Sequence, residues 1–552
     1  MRAARPRVLL ALAAIFQLAF FASVFAGLGA PLLWEDEAET AMFGRGVLES
    51  GVPKVHLGRN IVYGAHLPLE LGRNAALDAY LGSPWGQYFF AAPVNAWSDG
   101  ATDLAARTWR MRVPFAVAGW LGTLLIAGAA ARLWPARAGA RAWFWVGFGA
   151  CLLLSISLQL HLREVRYYPL VVFALGAIAQ IELRRHVLRE LPALRGGLLL
   201  APVLFALFTL FYPAFTSVVA VAGIALALRA ARSRAPLRVR AAEFARGAAP
   251  YALACVAALP MIALFDLPAQ SRSFFETFGK GDSGIVHQLG WAAYYLLRYE
   301  FLAPVLFGAL ALAAARWQLR REGAELRPAM VACDLALLLA AVWLVQIART
   351  PLFFSRYIVA VSPALTAACA LQVGCLVELR RTRAARVATA GLAAIAVAGL
   401  GCVAVRVPEL RGRIAELREP YRGPLDYVIP YLVERYPDPA VLVVATNYED
   451  FAFMFYLRST TTFGYYAPER ERDLGLDPDV IVPRPWPVNQ RALQHLANQG
   501  SFVPHTFPVA NTRVNNLPEL SPRNQSGLVH RWRSPEPGSD GAAVVIGERQ
   551  QP

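Results

Sequence analysis

Long apolar stretches separated by short polar loops dominate residues 1–405. A helix needs about 20 predominantly apolar residues to cross the hydrocarbon core of a bilayer. Eleven runs approach or exceed this length, at 8–33, 113–133, 142–160, 166–182, 197–212, 214–230, 249–266, 289–315, 329–347, 356–378 and 386–405. Hydrophobic residues make up 57% of the chain and charged residues 17%, which is more apolar than a soluble domain requires. The pattern predicts a polytopic α-helical membrane protein with about 11 transmembrane helices.

Arginines cluster in alternate loops between these runs. The arginine-rich segments lie at 2–7, 132–141, 184–195, 232–246, 316–327 and 380–386. Cytoplasmic loops carry such an excess, so we expect a cytoplasmic N-terminus and, with an odd number of spans, a C-terminus outside. The first run is longer than a signal peptide requires and is interpreted as a retained helix. We therefore expect a multi-pass membrane protein. The net charge of +16 belongs to these loops, so no nucleic-acid partner is expected.

Three parts of the chain are predicted to lie outside the membrane on the far side. They are a large loop at 34–112, a segment at 267–288, and the tail at 406–552. The domain division is accordingly 1–405 for the membrane domain and 406–552 for a soluble α/β domain. In the tail we expect helices over 425–436 and 450–457 and strands over 440–445, 479–482 and 542–546. Asn447, between a strand and a helix, could bind a ligand or cap the helix.

A group of carboxylates follows the first apolar run in the segment Leu33-Trp34-Glu35-Asp36-Glu37-Ala38. We expect a helix along the membrane surface from Asp36 to Val52, ended by Gly51. The helix N-terminus stabilises negative charge, which favours an ionised Asp36 that could act as a base. The same residues could instead only stop the first span and set its depth.

Arginines at the outer ends of several spans are unexpected under the positive-inside pattern. Arg163, Glu164 and Arg166 lie before the fourth span, and Arg349 and Arg356 lie between the ninth and tenth. Lys280 belongs to the outer segment at 267–288. Each cation could simply reach the lipid headgroups. Together with the carboxylates on the same side, they could hold a lipid phosphate while a carboxylate handles a proton.

Several of these motifs occur in one order and spacing over roughly residues 8–380. They are Trp34-Glu35-Asp36-Glu37-Ala38, Gly51, Arg112-Val113-Pro114, Arg163-Glu164-Val165-Arg166-Tyr167-Tyr168, and Arg356-Tyr357 through Pro363. With them the chain resembles the polytopic glycosyltransferases of the GT-C fold, in particular the family 39-like group of bacterial protein O-mannosyltransferases and the aminoarabinose lipid A transferase. One departure is Ser83-Pro84-Trp85-Gly86, where the group often has adjacent prolines followed by aromatic residues. This departure bears on substrate specificity more than on the reaction.

The resemblance implies an inverting glycosyltransferase that moves a hexosyl or pentosyl unit from a polyprenyl-phosphate carrier to an acceptor hydroxyl at the outer face. In that function Asp36 is the general base, Glu37 supports it, and Glu164 is a second acidic candidate. The lipid phosphate would be bound by five cations: Arg163, Arg166, Arg356, Arg349 and Lys280. The acceptor would be a protein, lipid or glycan of the cell envelope, and the membrane would be a bacterial inner (plasma) membrane.

Proteins of this group generally act without a metal, so we expect no required cofactor. A divalent cation between carboxylates and phosphate remains an alternative. The six cysteines fall in predicted spans without metal-type spacing and are interpreted as small core residues.

Two other classes of function fit parts of the sequence. A lipid or solute transporter would share the span count, but it usually carries ionisable residues at mid-depth and internal repeats. A non-catalytic scaffold or sensor would account for the tail, but it would leave the outer carboxylates and arginines without a role.

Overall fold

The computed structural model describes residues 6–63, 67–135, 139–279, 284–320, 328–350, 354–462, 475–520 and 530–550. Lys280 and the basic-loop residues Arg137, Arg321 and Arg327 lie outside these ranges. The helices of the first half are α1 (Pro6–Phe25), α2 (Glu35–Ser50), α3 (Leu69–Gly72), α4 (Gly86–Asp99), α5 (Leu104–Ala131), α6 (Gly139–Leu154), α7 (Ile156–His161), α8 (Tyr167–Glu182), α9 (Ala193–Leu210), α10 (Tyr212–Arg232) and α11 (Leu237–Leu264). A π-helical turn, Leu183–Val187, directly continues α8.

The second half continues this helical pattern before the chain changes to mixed structure. Its helices are α12 (Leu267–Phe278), α13 (Gly284–Tyr299), α14 (Leu302–Arg320), α15 (Pro328–Ile347), α16 (Val361–Leu379), α17 (Ala385–Arg418), α18 (Leu425–Arg435), α19 (Asp450–Leu457) and α20 (Gln490–Asn498). Short 3₁₀ turns lie at Ser355–Ile358 and Pro439–Val441. The helix expected after the first span is present as α2, and its position along the membrane surface remains a prediction.

Nine helices within the described residues are long and apolar enough to cross a membrane. They are α1, α5, α9, α10, α11, α14, α15, α16 and α17. The predicted spans 142–160 and 166–182 correspond to shorter helices, α6 and α8, of 16 residues each. The polytopic helical class is confirmed.

Two predicted spans are interrupted in the structure. The span expected over 289–315 is divided at Glu300-Phe301 into α13 and α14, because Pro304 has no N–H to donate to the Glu300 carbonyl. The span over 142–160 is divided at Ser155, whose side chain accepts a hydrogen bond from the Leu158 N–H and so starts α7. Both breaks come from local backbone hydrogen bonding, which the length of an apolar run does not predict.

Helices α5 and α8 pack with their backbones in close approach. A Cβ atom on Gly122 would lie 2.5 Å from the Phe173 nitrogen, and one on Gly176 would lie 2.6 Å from the Gly122 carbonyl oxygen. Small residues at such crossings let membrane helices pack tightly without a hydrophobic driving force. This crossing fixes α5 and the start of α8 relative to each other.

The tail folds around a five-stranded mixed sheet in the order β6-β5-β7-β9-β8. Its strands are β5 (Val443–Thr446), β6 (Thr460–Thr462), β7 (Val480–Val482), β8 (Phe502–Ala510) and β9 (Ala543–Arg549), after the two-residue strands β1 (His56–Leu57), β2 (Asn60–Ile61), β3 (Arg73–Asn74) and β4 (Ala79–Tyr80) in the outer loop. The first two sheet pairings, β5 with β6 and with β7, are parallel, and β9 joins β7 and β8 antiparallel. The predicted C-terminal α/β region is confirmed.

Asn447 does not cap α19, contrary to the helix-cap interpretation. Its side chain accepts from the Arg484 N–H at 2.8 Å and donates to the Trp486 carbonyl at 2.7 Å. The residue before α19 is instead Glu449, with a φ of 60°. Asn447 therefore holds the segment after β7 against the end of β5, a long-range role that the local sequence does not reveal.

The tail packs directly on the outer loop. The Leu32 N–H donates to Asp426 Oδ1 at 2.7 Å, and the Leu33 N–H donates to the Tyr456 hydroxyl at 2.9 Å. Asn60 donates to the Ser459 carbonyl at 2.9 Å and accepts from the Thr461 N–H at 2.7 Å. The sheet region is thereby held against the start of α2.

We predict that Gly122→Val destabilises the protein by about 1–3 kcal/mol or more, because the new side chain must push α8 away from α5. The measurement is the thermal midpoint of the full chain in detergent. Gly223→Val is the matched control, since a Cβ at Gly223 meets no atom within 4 Å. Equal midpoints for the two variants would contradict the proposed helix crossing.

Candidate active site

The first turn of α2 carries three carboxylates, Glu35, Asp36 and Glu37, at the helix N-terminus. The unpaired N–H groups and the dipole of this end stabilise negative charge. The helix ends at Gly51, which adopts a φ of 79° and donates its N–H to the Val47 carbonyl. Although consecutive, the three carboxylates have three different environments.

Glu37 forms a buried two-point ion pair with Arg112 of α5. Arg112 Nε lies 2.9 Å from Oε1 and Nη2 lies 2.5 Å from Oε2, and the Val165 N–H donates to Oε1 at 3.0 Å. Arg112 also donates to the Pro31 carbonyl at 2.7 Å. Glu37 therefore joins α2, α5 and the segment before α8, as a positioning group rather than a proton acceptor.

Glu35 points toward the tail. Burial raises the pKa of Glu35 well above its ordinary value, and the negative charges of Asp450 and Glu449 raise it further. Glu449 is itself paired with the fully buried Arg484 at 2.7 Å. Glu35 consequently belongs to the contact between α2 and the tail.

Asp36 is the carboxylate of this turn that remains partly exposed, with 19% of its side chain accessible. Its Oδ2 atom lies 3.3 Å from Arg166 Nη2 and 3.0 Å from Arg356 Nη1. Arg166 also donates to the Asp36 carbonyl oxygen at 3.1 Å and to Thr40 at 3.2 Å. The structure thus brings together the predicted base and two of the five predicted phosphate-binding cations.

These contacts belong to a row of five alternating charges: Glu39, Arg166, Asp36, Arg356 and Glu519. The outer contacts are Arg166 Nη1 to Glu39 Oε2 at 3.5 Å and Arg356 Nε to Glu519 Oε1 at 3.3 Å. Alternation compensates charges that are mostly removed from water. The row is drawn from α2, the start of α8, the turn before α16, and the tail.

The two carboxylates at the ends of the row are both buried. Burial raises the pKa of Glu39 to about 6 against the opposing charge of Arg166, and its Oε1 accepts from the Tyr88 hydroxyl at 3.1 Å. Burial likewise raises the pKa of Glu519, opposed by Arg356. The protein therefore holds carboxylates next to both arginines at a cost in desolvation.

Aromatic rings form one wall of the site. The Arg356 guanidinium lies 4.5 Å from the Phe354 ring centroid and 5.6 Å from that of Trp34. Trp34 in turn packs in a cluster with Tyr448 and Trp486 of the tail. These contacts orient the cation and limit water around it.

Glu164 lies apart from Asp36 in a pair with His161. Its Oε1 is hydrogen-bonded to His161 Nδ1. Burial, with the charge of Glu37, raises the pKa of Glu164 well above its ordinary value, and burial lowers the pKa of His161 to about 3. Glu164 is therefore held in a buried pair with His161, and its role as a second acidic candidate remains a prediction.

Two of the remaining predicted cations, Arg163 and Arg349, lie outside the charge row. Arg163 donates to the Gly27 carbonyl at 2.7 Å, and burial lowers its pKa to about 9, as does the charge of Arg413. Arg349 is exposed after α15, and within the described residues no ion pair joins it to the carboxylates. Lys280 lies outside the described residues. Sequence analysis missed Glu39 and Glu519; Glu39 could have been found from its spacing, since it lies three residues after Asp36 on one helix face.

Among the residues that the structure describes, no group of three or more His, Cys, Asp and Glu side chains is arranged to hold a metal ion. In the charge row each carboxylate contacts a guanidinium. The expectation that no cofactor is required remains a prediction.

Comparisons with protein-family models and with curated proteins returned no match. Among solved structures, the chain is similar to ArnT from Cupriavidus metallidurans in the apo state, with 15% identity over 97% of each chain and a TM-score of 0.48. The chain is also similar to the Archaeoglobus fulgidus oligosaccharyltransferase tethered with an acceptor peptide, with 12% identity over 83% of this chain and 63% of that one and a TM-score of 0.41.

We predict that Glu37→Gln and Arg112→Gln each destabilise the protein by about 3–5 kcal/mol, because each leaves an uncompensated buried charge. The double variant should lose less than the sum of the two, as expected for a direct pair. The measurement is the free energy of unfolding or the thermal midpoint in detergent. Arg132→Gln is the control, since its pair with Glu190 is exposed and should contribute under about 1 kcal/mol. Additive losses would contradict the pair.

Proposed function

We propose that the protein is an inverting glycosyltransferase that transfers a sugar from a polyprenyl-phosphate carrier to an acceptor hydroxyl at the outer face of a bacterial inner membrane. The observation that carries this proposal is the contact of Asp36 with both Arg166 and Arg356. The Asp36 carboxylate can act as a base, and the two guanidiniums beside it can bind a phosphate. Both kinds of group lie next to membrane helices. That the transferred group is a sugar and its carrier a polyprenyl phosphate is inferred from the resemblance of the motifs around these residues.

In this proposal Asp36 is the general base. In both of its ion pairs the closest oxygen of Asp36 is Oδ2. Oδ1 accepts the proton of the acceptor hydroxyl as the acceptor oxygen bonds to the anomeric carbon. The bond from that carbon to the phosphate oxygen breaks, and its electron pair leaves with the lipid phosphate. Attack opposite the leaving group inverts the anomeric configuration.

Arg166 and Arg356 bind the lipid phosphate and neutralise the charge that develops as it leaves. Fixed guanidinium donors stabilise such charge without reorganising during the reaction. Arg356 is held by aromatic rings and by carboxylates on both sides, so its position is set before the donor binds.

Glu519 occupies one side of Arg356, where a phosphate oxygen would also bind. A carboxylate and a phosphate oxygen offer the same acceptor to a guanidinium. We therefore propose that the donor phosphate displaces Glu519 from Arg356 on binding. The raised pKa of Glu519 is in keeping with a group that gains little from its buried position.

A transporter remains the second candidate, on the observation of buried ionisable residues near the outer ends of the spans. Glu300 and Arg406 are both fully buried. However, Arg406 donates to the Leu154 carbonyl at 2.6 Å and Glu300 accepts from the Ser157 N–H at 3.3 Å. These bonds satisfy backbone groups at helix breaks, which favours a structural role.

We predict that Asp36→Asn and Arg356→Gln each lower the rate of sugar transfer roughly 100-fold or more, through loss of the base and of phosphate stabilisation. The assay uses the full chain in membranes with radiolabelled polyprenyl-phosphate sugars and crude envelope acceptors. Glu49→Gln, at the exposed end of α2, and Arg272→Gln, on the exposed face of α12, are the matched controls and should retain wild-type rates. Activity should persist in EDTA.

Three results would count against this proposal. Wild-type rates in Asp36→Asn would remove Asp36 as the base. Loss of transfer in EDTA would replace the metal-free mechanism with a metal-assisted one. Movement of the labelled lipid across vesicle membranes, with no transfer by wild type, would favour the transporter.

We also predict that Glu519→Gln lowers the KM for the lipid-linked donor severalfold and leaves kcat near wild type, because Arg356 no longer has a charged competitor. The measurement is steady-state kinetics at saturating acceptor. A fall in kcat with unchanged KM would show instead that Glu519 positions Arg356 for the reaction. Glu536→Gln, on an exposed part of the tail, is the control.

A further inference from the structure

A cavity lies at the opposite end of the helix bundle from Asp36. It is formed where α8 and α10 end and where α9 and α11 begin, whereas the charge row lies at the start of α8. The cavity has a volume of about 200 Å³. Its lining residues are Arg185, His186, Ala193, Leu226, Arg229, Ala230, Arg240, Glu243, Phe244, Arg246 and Gly247.

Positive charge is in excess around this cavity. Four of its lining residues are arginines, against Glu243 in the lining and Glu182 beside it. Glu182 is shared, at 2.5 Å from Arg185 Nη1 and 3.2 Å from His186 Nε2. With the histidine neutral, four positive and two negative charges leave a net charge of +2.

Two of the arginines also have donor capacity that the protein does not use. Arg185 is 8% exposed and its Nε has no hydrogen-bond partner among the described residues, and the buried Arg240 Nε likewise has none there. Arg240 otherwise reaches the Ala230 carbonyl only at 3.5 Å. A buried donor without an acceptor is costly, so an acceptor brought by a ligand would stabilise the site.

The backbone is adapted to hold Arg185 at this position. The π-helical turn Leu183–Val187 carries Arg185 and His186 into the cavity wall, and such turns are frequent at functional sites. A Cβ on Gly196 would lie 2.5 Å from Arg185 Cγ, so the glycine makes room for the arginine stem against α9.

The walls and the location of the cavity indicate what could bind. Leu226 and Phe244 provide apolar surface beside the cations. The arginine-rich segments 184–195 and 232–246 predict that this end of the bundle lies at the cytoplasmic membrane surface. The volume is below the roughly 300–1,000 Å³ of sites for drug-sized molecules and suits a headgroup with its acyl chains outside. Basic pockets between membrane helices commonly bind such headgroups.

We infer that this cavity binds the phosphate-bearing headgroup of an anionic phospholipid in the leaflet opposite the transfer site. Arg229 and Arg240, on neighbouring helices, contact the phosphate, and Arg185 completes its coordination from the cavity wall. This inference does not depend on the transfer reaction, because no residue of the charge row contributes to the cavity.

The test measures lipid binding to the full chain in detergent by native mass spectrometry, with phosphatidylglycerol, phosphatidylcholine and inorganic phosphate as probes. We expect retained phosphatidylglycerol and weaker binding of phosphatidylcholine. The double variant Arg229→Gln/Arg240→Gln should bind phosphatidylglycerol more weakly by roughly fivefold for each arginine removed. Arg232→Gln/Arg238→Gln removes two exposed arginines of the same region that do not line the cavity, and it should bind as wild type.

Three outcomes would overturn the inference. Equal binding of phosphatidylcholine would show that the anionic headgroup is not recognised. Equal weakening in the control variant would show a diffuse charge effect. Saturation by inorganic phosphate that excludes phosphatidylglycerol would identify a site for a soluble phosphate instead of a lipid. Thermal midpoints of both variants, measured without lipid, separate loss of binding from loss of folding.

Discussion

The buried ion pair between Glu37 and Arg112 is the constraint on which the rest of the site depends. A charge pair removed from water is tolerated only when its geometry and additional hydrogen bonds compensate for desolvation. Here two contacts between the side chains and a backbone N–H at Val165 supply that compensation. Because α2, α5 and the segment before α8 must all meet at Glu37, the adjacent Asp36 is directed toward Arg166 and away from the pair.

The alternating row around Asp36 is a second consequence of low exposure. The carboxylates on both sides of Arg166 and of Arg356 compensate for the desolvation of two guanidiniums that are mostly removed from water. In the same arrangement each guanidinium can bind either a carboxylate or a phosphate oxygen, because both are anionic oxygen acceptors. The row, with three carboxylates and two arginines, can thus bind an anion when a phosphate oxygen replaces one carboxylate at a guanidinium.

Much of this arrangement could be predicted from the sequence, and the rest depended on long-range packing. The length of the apolar runs predicts the helical bundle, and Gly51 predicts the end of α2, because both features depend only on residues near in sequence. Asp36, Arg166 and Arg356 could be chosen as candidates because they belong to charged motifs at the predicted outer ends of spans. Arg163 shows the limit of this reasoning: although three residues from Arg166, it contacts the Gly27 carbonyl, since direction in an irregular segment is set by tertiary contacts.

Glu519 could not be predicted, because its role comes from where the tail packs and not from any local pattern. Hydrogen bonds from Leu32 and Leu33 to Asp426 and Tyr456 hold the sheet region directly against the start of α2. From there the segment carrying Glu519 reaches Arg356. The α/β region therefore supplies the Glu519 carboxylate that pairs with Arg356. Because this ion pair is also one of the contacts that attach the tail, an anion that displaces Glu519 from Arg356 also weakens the attachment of the tail. Because such linkage is reciprocal, any partner that pulls the tail away would favour anion binding at Arg356 by the same free energy.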